Sequence, residues 1–590
     1  MYFSQSSKVK NILYISVCLL LYSSLAAQQQ YYMKGEVHDE QGNALQNVNI
    51  LLHSTGYIYY SGAAGGFGIV TRNKWDTLTF FLEGYQRQTG IGNAVGYINI
   101  VMKRAPVTKN ARGFALASFT QNLKREIQQQ WFLGDETYAS LIENRFIPAR
   151  QYPSTSITLN VDRASYSNVR RFITMNTVVP PDAVRIEEML NYFNLAYAEP
   201  DSNKTFAIQT VLTRCPWNAE NQLLFTSVKS KRVAPDSLPP SHLVFLIDVS
   251  GSMDMPNRLP LLKAGFRSLV NTLRAKDSVA IVVYGGTTGV MLNTTSGDEK
   301  NKIFKAIDSL SPGGATPGES GIKLAYSVAR NHFIKGGNNR VILATDGDFN
   351  VGLKTDEELE ALITTQKESG IYLTCLGVGM GNYKDSKIQT LAQKGNGNFS
   401  YIDTYQEAEK VLLKEFTQTL YAVADDVYLN AKFNPAYVAS YRVLGFDNKV
   451  GAIKDTTAVI EGGEIGSAYN MQVVFEIVPA TSDTMHAQQP VSFSLQYKLP
   501  NSKSQHELMV TPTVLYQPWQ TLPQCYQFAG TVALFGGMLR ASEYAKNITW
   551  NEMLAMAEKY SNTTDKTQQE FIALVQQAKT LYAKRKRHKE

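Results

Sequence analysis

Residues 242–420 alternate short apolar runs with longer segments of helical periodicity, and this alternation constrains the fold more than any other feature of the chain. Such a rhythm predicts repeated βαβ units and a doubly wound, mostly parallel sheet, because the apolar runs are buried on both faces. The runs are Leu243–Ile247, Val279–Tyr284, Arg340–Ala344, Ile371–Val378 and Phe399–Ile402. The expected helices lie near residues 258–274, 300–310, 318–333, 356–369, 386–393 and 406–420.

Polar and apolar residues alternate on both sides of this region, which predicts antiparallel strands. The strands are expected at residues 206–214 and 223–229 before it, and at 427–433, 437–444, 471–478, 491–497 and 508–515 after it. Neither set closes a sheet alone, so we predict one β-sandwich, residues 201–240 and 421–520, with the α/β domain of 241–420 inserted in it. A helical unit, residues 150–200, precedes the sandwich, and a helical region with a basic tail, residues 521–590, follows it.

The first 27 residues have the features of a secretory signal peptide. Lys8 and Lys10 precede the apolar stretch Ile12–Leu21, and small residues lead up to Ala27. The apolar stretch is short for a membrane span, so we predict export with cleavage, to the periplasm or the cell surface. A membrane anchor and a lipoprotein attached at Cys18 are the alternatives. No later segment is apolar enough to span a bilayer.

Residues 28–105 carry short strand patterns separated by turns, which predict a second, N-terminal β-sandwich, followed by a linker over residues 106–149. Its glycine and apolar pattern resembles the carboxypeptidase-regulatory-like domain, a structural module of exported bacterial proteins. One departure is Ala63-Ala64-Gly65, where that family has a threonine-aspartate pair before a glycine-phenylalanine turn. The matching positions are Gly35, Val37, Asp39, Gly42, Ala44, Leu45, Asn47, Val48, Gly66, Gly68, Gly84 and Tyr85.

The net charge of +7 does not indicate a nucleic-acid partner. The predicted signal peptide carries +2 and residues 584–590 carry +4, which leaves +1 for residues 28–583. The basic tail could contact anionic lipid, although a solvated chain end is expected. Cys215, Cys375 and Cys525 are too widely spaced for a metal cluster.

Oxygen-bearing side chains follow the apolar runs of the α/β region. Asp248, Ser250 and Ser252 come directly after the first run, and Asp346 follows the third. Thr316 lies on a glycine-rich loop before a predicted helix. The carboxyl ends of parallel strands share one edge of a sheet, so these side chains are expected to surround one hard cation such as Mg²⁺.

This set resembles the metal-ion-dependent adhesion site of von Willebrand factor type A domains. The wider sequence of residues 243–253 and 336–350, with Val184–Phe193 upstream, resembles that of the bacterial Yfb-K-type subfamily. The resemblance implies that Ser250 and Ser252 bind the metal directly, and that Thr316 binds it directly or through water. It also implies that Asp248 and Asp346 act mainly through bridging waters. The ion implied is Mg²⁺, or another divalent cation such as Mn²⁺ or Ca²⁺.

These observations predict an exported, non-enzymatic protein that binds a protein partner through the cation. An acidic side chain of the partner is expected to fill an open coordination position of the cation. A structural envelope scaffold and a metal-assisted hydrolase are the alternatives. The seven histidines are scattered, and neither a His-Glu-x-x-His nor a Gly-x-Ser-x-Gly motif occurs. The sequence leaves the identity of the partner and the oligomeric state open.

Overall fold

The computed structural model divides into two compact units, residues 1–112 and 113–590, and each is described by itself. The predicted signal peptide, most of the predicted linker and Thr316 lie outside the described residues. The structure describes residues 31–55, 57–82, 85–104, 136–159, 162–195, 197–234, 237–285, 288–313, 318–347, 363–365, 370–381, 383–415, 421–447, 450–452, 463–480, 489–500, 502, 504–512 and 516–587.

The first unit is a β-sandwich, as predicted. A three-stranded sheet of order β4-β1-β7 faces a four-stranded sheet of order β3-β2-β5-β6. Met33, Val37, Ile50, Leu78 and Phe80 lie in the core of this unit. Its strands are β1 Tyr31–Asp39, β2 Asn49–Leu52, β3 Tyr57–Tyr60, β4 Gly66–Thr71, β5 Trp75–Phe81, β6 Gln88–Asn93 and β7 Tyr97–Met102.

The second unit begins with elements that belong to two different layers. Strands β8 and β9 pair with strands from later in the chain. The sequence predicts a strand at residues 156–162, which overlaps β9 inside the unit expected to be helical, whereas β8 falls in the predicted linker. Helices α1 and α2 join a helical layer described below. The elements are β8 Ile147–Pro148, β9 Ser154–Thr158, α1 Ala164–Thr174, α2 Ile186–Tyr192, β10 Phe206–Arg214 and β11 Gln222–Ser230.

The α/β domain follows, and its sheet has the order β14-β13-β12-β15-β16-β17. All neighbours are parallel except β14, an edge strand that the sequence analysis missed and that runs antiparallel to β13. Apolar clusters cover both faces, which confirms the doubly wound fold. The elements are β12 Ser241–Asp248, α3 Leu259–Thr272, β13 Ser278–Tyr284, β14 Gly289–Ser296, α4 Lys300–Ser309, α5 Gly318–Asn331, β15 Asn338–Thr345, β16 Ile371–Val378, α6 Asp385–Lys394, β17 Phe399–Ile402 and α7 Tyr405–Glu409.

Two predicted helices of this domain differ from the structure. Helix α7 is short and continues as a π-helical turn, Lys410–Lys414, and residues 416–420 are outside the described part. Of the helix expected at 356–369, only residues 363–365 are described, and they are helical.

Strands from both sides of the α/β domain form one sandwich, which confirms the predicted insertion. One sheet has the order β10-β11-β22-β19-β8 and the other the order β20-β9-β18-β23-β24, with β21 paired to β18. Leu224, Phe475, Leu429 and Phe493 lie in one core that the two sheets share. The later strands are β18 Ala422–Phe433, β19 Val438–Val443, β20 Val450–Ala452, β21 Gly463–Gly466, β22 Asn470–Pro479, β23 Val491–Lys498 and β24 Gln505–Val510.

Three C-terminal helices pack with α1 and α2 around a single apolar core. They are α8 Gln524–Leu539, α9 Trp550–Tyr560 and α10 Lys566–Arg587. The helix α10 therefore includes the first residues of the basic tail, which we expected to be a solvated end. Nowhere in the described chain does a helix combine the length and the apolar character that crossing a bilayer requires.

Candidate metal centre

The turn after β12 gathers one carboxylate and two hydroxyls. The backbone N–H of Ser250 donates to Asp248 Oδ1 over 2.8 Å, and the Oγ atoms of Ser250 and Ser252 are 3.0 Å apart. The turn is tied to β13 by a 2.8 Å hydrogen bond from Val249 N–H to the Tyr284 carbonyl. The end of β12 thus presents three oxygen-bearing side chains, with Ser250 in hydrogen-bond contact with each of the other two residues.

Asp346 reaches the same place from the neighbouring strand. Strands β12 and β15 are parallel partners, with Ile247 opposite Ala344, so the residues that follow both strands are adjacent. Thr345 links them, because its hydroxyl donates to Asp248 Oδ2 over 3.3 Å. This is also the point where the sheet changes its winding direction, since β13 lies on one side of β12 and β15 on the other.

Thr316 is outside the described residues, so its place at the site stays a prediction. The loop that contains it is described at both ends. Gly313 N–H donates to the carbonyl of Val249 over 2.7 Å, and α5 begins at Gly318. The structure therefore brings together Asp248, Ser250, Ser252 and Asp346, and describes the chain on either side of the fifth predicted residue.

Burial dominates the electrostatics of Asp248. Asp248 and Asp346 are almost fully buried, whereas Ser252 is exposed. Burial raises the pKa of Asp248 to about 6; the Asp346 charge adds to the rise, and the hydrogen bonds from Ser250 oppose it. A bound cation would favour the charged form of the Asp248 carboxylate.

The donor chemistry fits a hard divalent cation. In the part of the chain that is described, no group of three or more His, Cys, Asp or Glu side chains is placed to hold a metal. The donors at this edge are instead two carboxylates and two hydroxyls, all of them oxygens. Oxygen ligands suit Mg²⁺, Mn²⁺ or Ca²⁺ better than they suit softer ions.

Arg258 is a charged residue at this site that the sequence analysis missed. Its Nη1 lies 2.7 Å from Asp346 Oδ2 and 2.5 Å from the carbonyl oxygen of Ser252. Its Nη2 donates to the carbonyl of Met380 over 2.8 Å. A lone arginine just before a helix usually faces solvent, and nothing in its sequence neighbourhood points to a carboxylate that lies 88 residues away.

Comparison with known proteins assigns the α/β domain and its flanking regions to a family. The model described as von Willebrand factor type A domain matches residues 242–418, one described as Uncharacterized protein YfbK, C-terminal matches 418–581, and one described as von Willebrand factor matches 133–225. The Uncharacterized protein YfbK of Escherichia coli is 36% identical over 472 residues, which cover 75% of this chain and 81% of that protein.

Two further similarities are more distant. The Magnesium-chelatase 67 kDa subunit of Chlorobaculum parvum is 25% identical over 244 residues, covering 36% of this chain and 39% of that protein. The solved structure of a von Willebrand factor type A protein from Catenulispora acidiphila is 14% identical, with a TM-score of 0.38, over 61% of this chain and 88% of that one.

Domains of the von Willebrand factor type A kind typically mediate protein–protein interactions and commonly bind a divalent metal at their adhesion site. The family resemblance of the α/β and C-terminal regions is thereby confirmed, while the resemblance of the N-terminal sandwich to the carboxypeptidase-regulatory-like domain stays a prediction. With more than a third of its residues shared over three quarters of its length, this chain belongs to the YfbK family of von Willebrand factor type A domain proteins.

Proposed function

We propose that this protein is exported and binds a protein partner through a divalent cation, Mg²⁺ in the first instance. The cation would be held by Asp248, Ser250, Ser252, Thr316 and Asp346 and would bridge to an acidic side chain of the partner. The observation that carries the proposal is the convergence of two buried aspartates and two serine hydroxyls at the switch point of the sheet.

The arrangement of these groups supports a bridging role. Hydroxyls carry no charge, and Mg²⁺ retains waters in its octahedral shell, so the ion would stay incompletely neutralised and keep an exchangeable position. Ser252 is exposed while Asp248 is buried, which means that the site opens on the side of Ser252. A partner carboxylate approaching from that side would supply the missing negative charge.

Neighbouring groups of the chain hold the ligands in place. The Ser250 N–H and the Thr345 hydroxyl each donate to a different oxygen of Asp248, which fixes the orientation of that carboxylate. Buried hydrogen bonds of this kind preorganise a ligand set before the ion arrives. When bound, the cation would act as a bridge of positive charge between these residues and the partner.

The proposal is tested by removing ligands one at a time. Asp248→Asn and Ser250→Ala are expected to lower Mn²⁺ affinity by at least about tenfold in isothermal titration calorimetry, since the first removes a negative charge and the second removes a hydroxyl ligand. The control is Ser309→Ala, an exposed serine of α4 whose hydroxyl donates to the carbonyl of Ala306 in the same helix. It should bind Mn²⁺ like the wild type, and circular dichroism should show all three variants folded.

The bridging contact needs a second readout. Envelope proteins captured with Mg²⁺ should be absent when a chelator is present and absent with either ligand variant. Amidation of the acidic side chains in the envelope extract should also abolish capture. If capture is unchanged by chelator and by Ser250→Ala, the cation only stabilises the loops and the protein is a scaffold; metal-dependent substrate turnover would instead favour the hydrolase alternative.

A further inference from the structure

We propose that Arg258 is an internal counter-cation of this metal centre: it links the ligand loops in the metal-free protein and is displaced when a divalent cation binds. This inference rests on the proposed metal site and adds a regulatory step to it. It concerns a side chain that belongs to none of the five predicted ligands.

The guanidinium occupies a bridging position. A single nitrogen, Nη1 of Arg258, contacts Ser252 O at 2.5 Å and Asp346 Oδ2 at 2.7 Å. Ser252 lies on the loop after β12 and Asp346 on the loop after β15, and these are the two loops that a bound cation would join. The nitrogen therefore makes the connection that the cation is expected to make.

The position of Arg258 is built into the fold. Gly379 has a φ of +79°, and a Cβ at this residue would lie 2.5 Å from Arg258 Nε. Only a glycine combines that backbone conformation with that space. Met380, the next residue, accepts the second guanidinium hydrogen bond through its carbonyl. The segment after β16, residues 379–381, thus forms the binding position of this side chain, which we call the seat.

The seat is anchored independently of Arg258. Tyr401 donates its hydroxyl hydrogen to the carbonyl of Gly379 over 2.5 Å, and Gly381 N–H donates to Glu136 Oε1 over 2.7 Å. Glu136 is in turn paired with Arg171. The backbone of the seat therefore stays in place when the arginine leaves, and the displacement involves a side chain rather than a loop.

The guanidinium is held incompletely, which makes displacement feasible. Its Nε is buried and has no hydrogen-bond partner among the described residues. An unpaired buried donor lowers the stability of the seated state. By contrast, moving the side chain toward solvent lets water reach all five guanidinium hydrogens.

Charge makes the two cations compete. Asp248 and Asp346 supply at most two negative charges, and Arg258 already pairs with one of them. A divalent cation bound between the same loops would lie a few ångströms from the guanidinium, where like charges in a mostly buried site repel strongly. The metal and the seated arginine are therefore expected to exclude each other.

The test compares Mn²⁺ binding by the full chain and by Arg258→Gln, which removes the charge and leaves a shorter polar side chain. We expect Arg258→Gln to bind Mn²⁺ at least about tenfold more tightly than the wild type in calorimetry, because the competing cation is gone. Arg267→Gln is the matched control. It lies on α3, pairs with Asp308 at the surface, and should leave Mn²⁺ affinity unchanged.

A second readout follows Arg258 itself. Phenylglyoxal modification, located by peptide mass spectrometry, should be slow at Arg258 without metal and faster with saturating Mn²⁺, while Arg267 stays constant. Tighter binding by Arg258→Gln, or binding by this variant where the wild type binds none, supports the inference. Equal or weaker binding by a folded Arg258→Gln overturns the inference and leaves the metal site standing. Absence of Mn²⁺ binding in both proteins overturns the metal site and the inference together.

Discussion

Among single residues, His242 is a titratable group whose charge the fold controls. It is the second residue of β12, at the opposite end of this strand from Asp248, and it is fully buried. Its Nδ1 lies 2.9 Å from Ser278 Oγ, and its ring centroid is 5.7 Å from that of His332. Burial, with a smaller contribution from His332, lowers the pKa of His242 to about 4.

This pKa gives a signed pH dependence of stability. Between pH 6.5 and 4 the unfolded chain binds a proton at His242 that the folded chain does not, so stability falls as the pH falls through this window. The loss is at most about 3 kcal/mol. The melting temperature of His242→Gln, measured by circular dichroism, should therefore fall less between pH 7.5 and pH 4.5 than that of the wild type.

The control is His506→Gln, a half-buried histidine on β24. It should retain the pH dependence of the wild type. If the melting temperatures of His242→Gln and the wild type fall by the same amount, burial of this imidazole does not contribute to acid sensitivity.

Residue types and spacing were enough to predict that four oxygen donors meet at one edge of the sheet, while the place of Thr316 stays a prediction. Asp248 and Asp346 each follow a fully buried run, and parallel strands bring such residues to one edge. Arg258 could not be predicted in the same way, because its partners Asp346 and Met380 come from loops that only the finished sheet brings to the start of α3.

At the scale of elements, the end of β13 borders the candidate metal centre although it supplies no predicted ligand. Gly285 follows β13 with a φ of +105°, and a Cβ there would overlap the backbone nitrogen of Ser250. The turn after β12 can therefore approach β13 only because this residue is glycine.

Gly285→Ala should accordingly weaken the metal site, although Gly285 is not a predicted ligand. The added methyl pushes against Ser250, and alanine disfavours this backbone conformation, at a cost of about 1–3 kcal/mol. We expect a lower melting temperature and at least about tenfold weaker Mn²⁺ binding in calorimetry. Gly289→Ala, at the start of β14 with open space around its Cα, is the control and should match the wild type. Wild-type Mn²⁺ affinity in Gly285→Ala would show that the close approach is not needed.

Element prediction succeeded where burial is uniform and failed where it is not. Every residue of β12 and of β15 is buried, so their apolar runs stand out in the sequence. The edge strand β14 mixes exposed and buried residues and pairs with β13 through shifted register. Its pattern therefore follows neither a two-residue nor a helical period.

For the molecule as a whole, buried ion pairs join the inserted α/β domain to the layers around it. Arg340 on β15 pairs with Glu464 on β21 of the sandwich, and Arg185 at the start of α2 pairs with Asp385 of α6. All four side chains are almost fully buried. Sequence patterns place charged residues on the surface by default, so partners 124 and 200 residues apart could not be inferred from the sequence.

The pair between Arg340 and Glu464 provides a test of how the domains are held together. Glu464→Gln leaves the guanidinium of Arg340 buried without its carboxylate, which should cost about 3 kcal/mol or more. The double variant Arg340→Met with Glu464→Met removes both charges and should recover most of that loss.

Differential scanning calorimetry measures the stability of each variant, and limited proteolysis within residues 231–240, between β11 and β12, reports loosening of the α/β domain. Glu464→Gln should melt earlier and be cut faster, and the double variant should resemble the wild type. Glu299→Gln, which breaks an exposed pair with Lys302, is the control and should change stability by no more than about 1 kcal/mol. Should Glu464→Gln behave like Glu299→Gln, this buried pair does not hold the α/β domain to the sandwich.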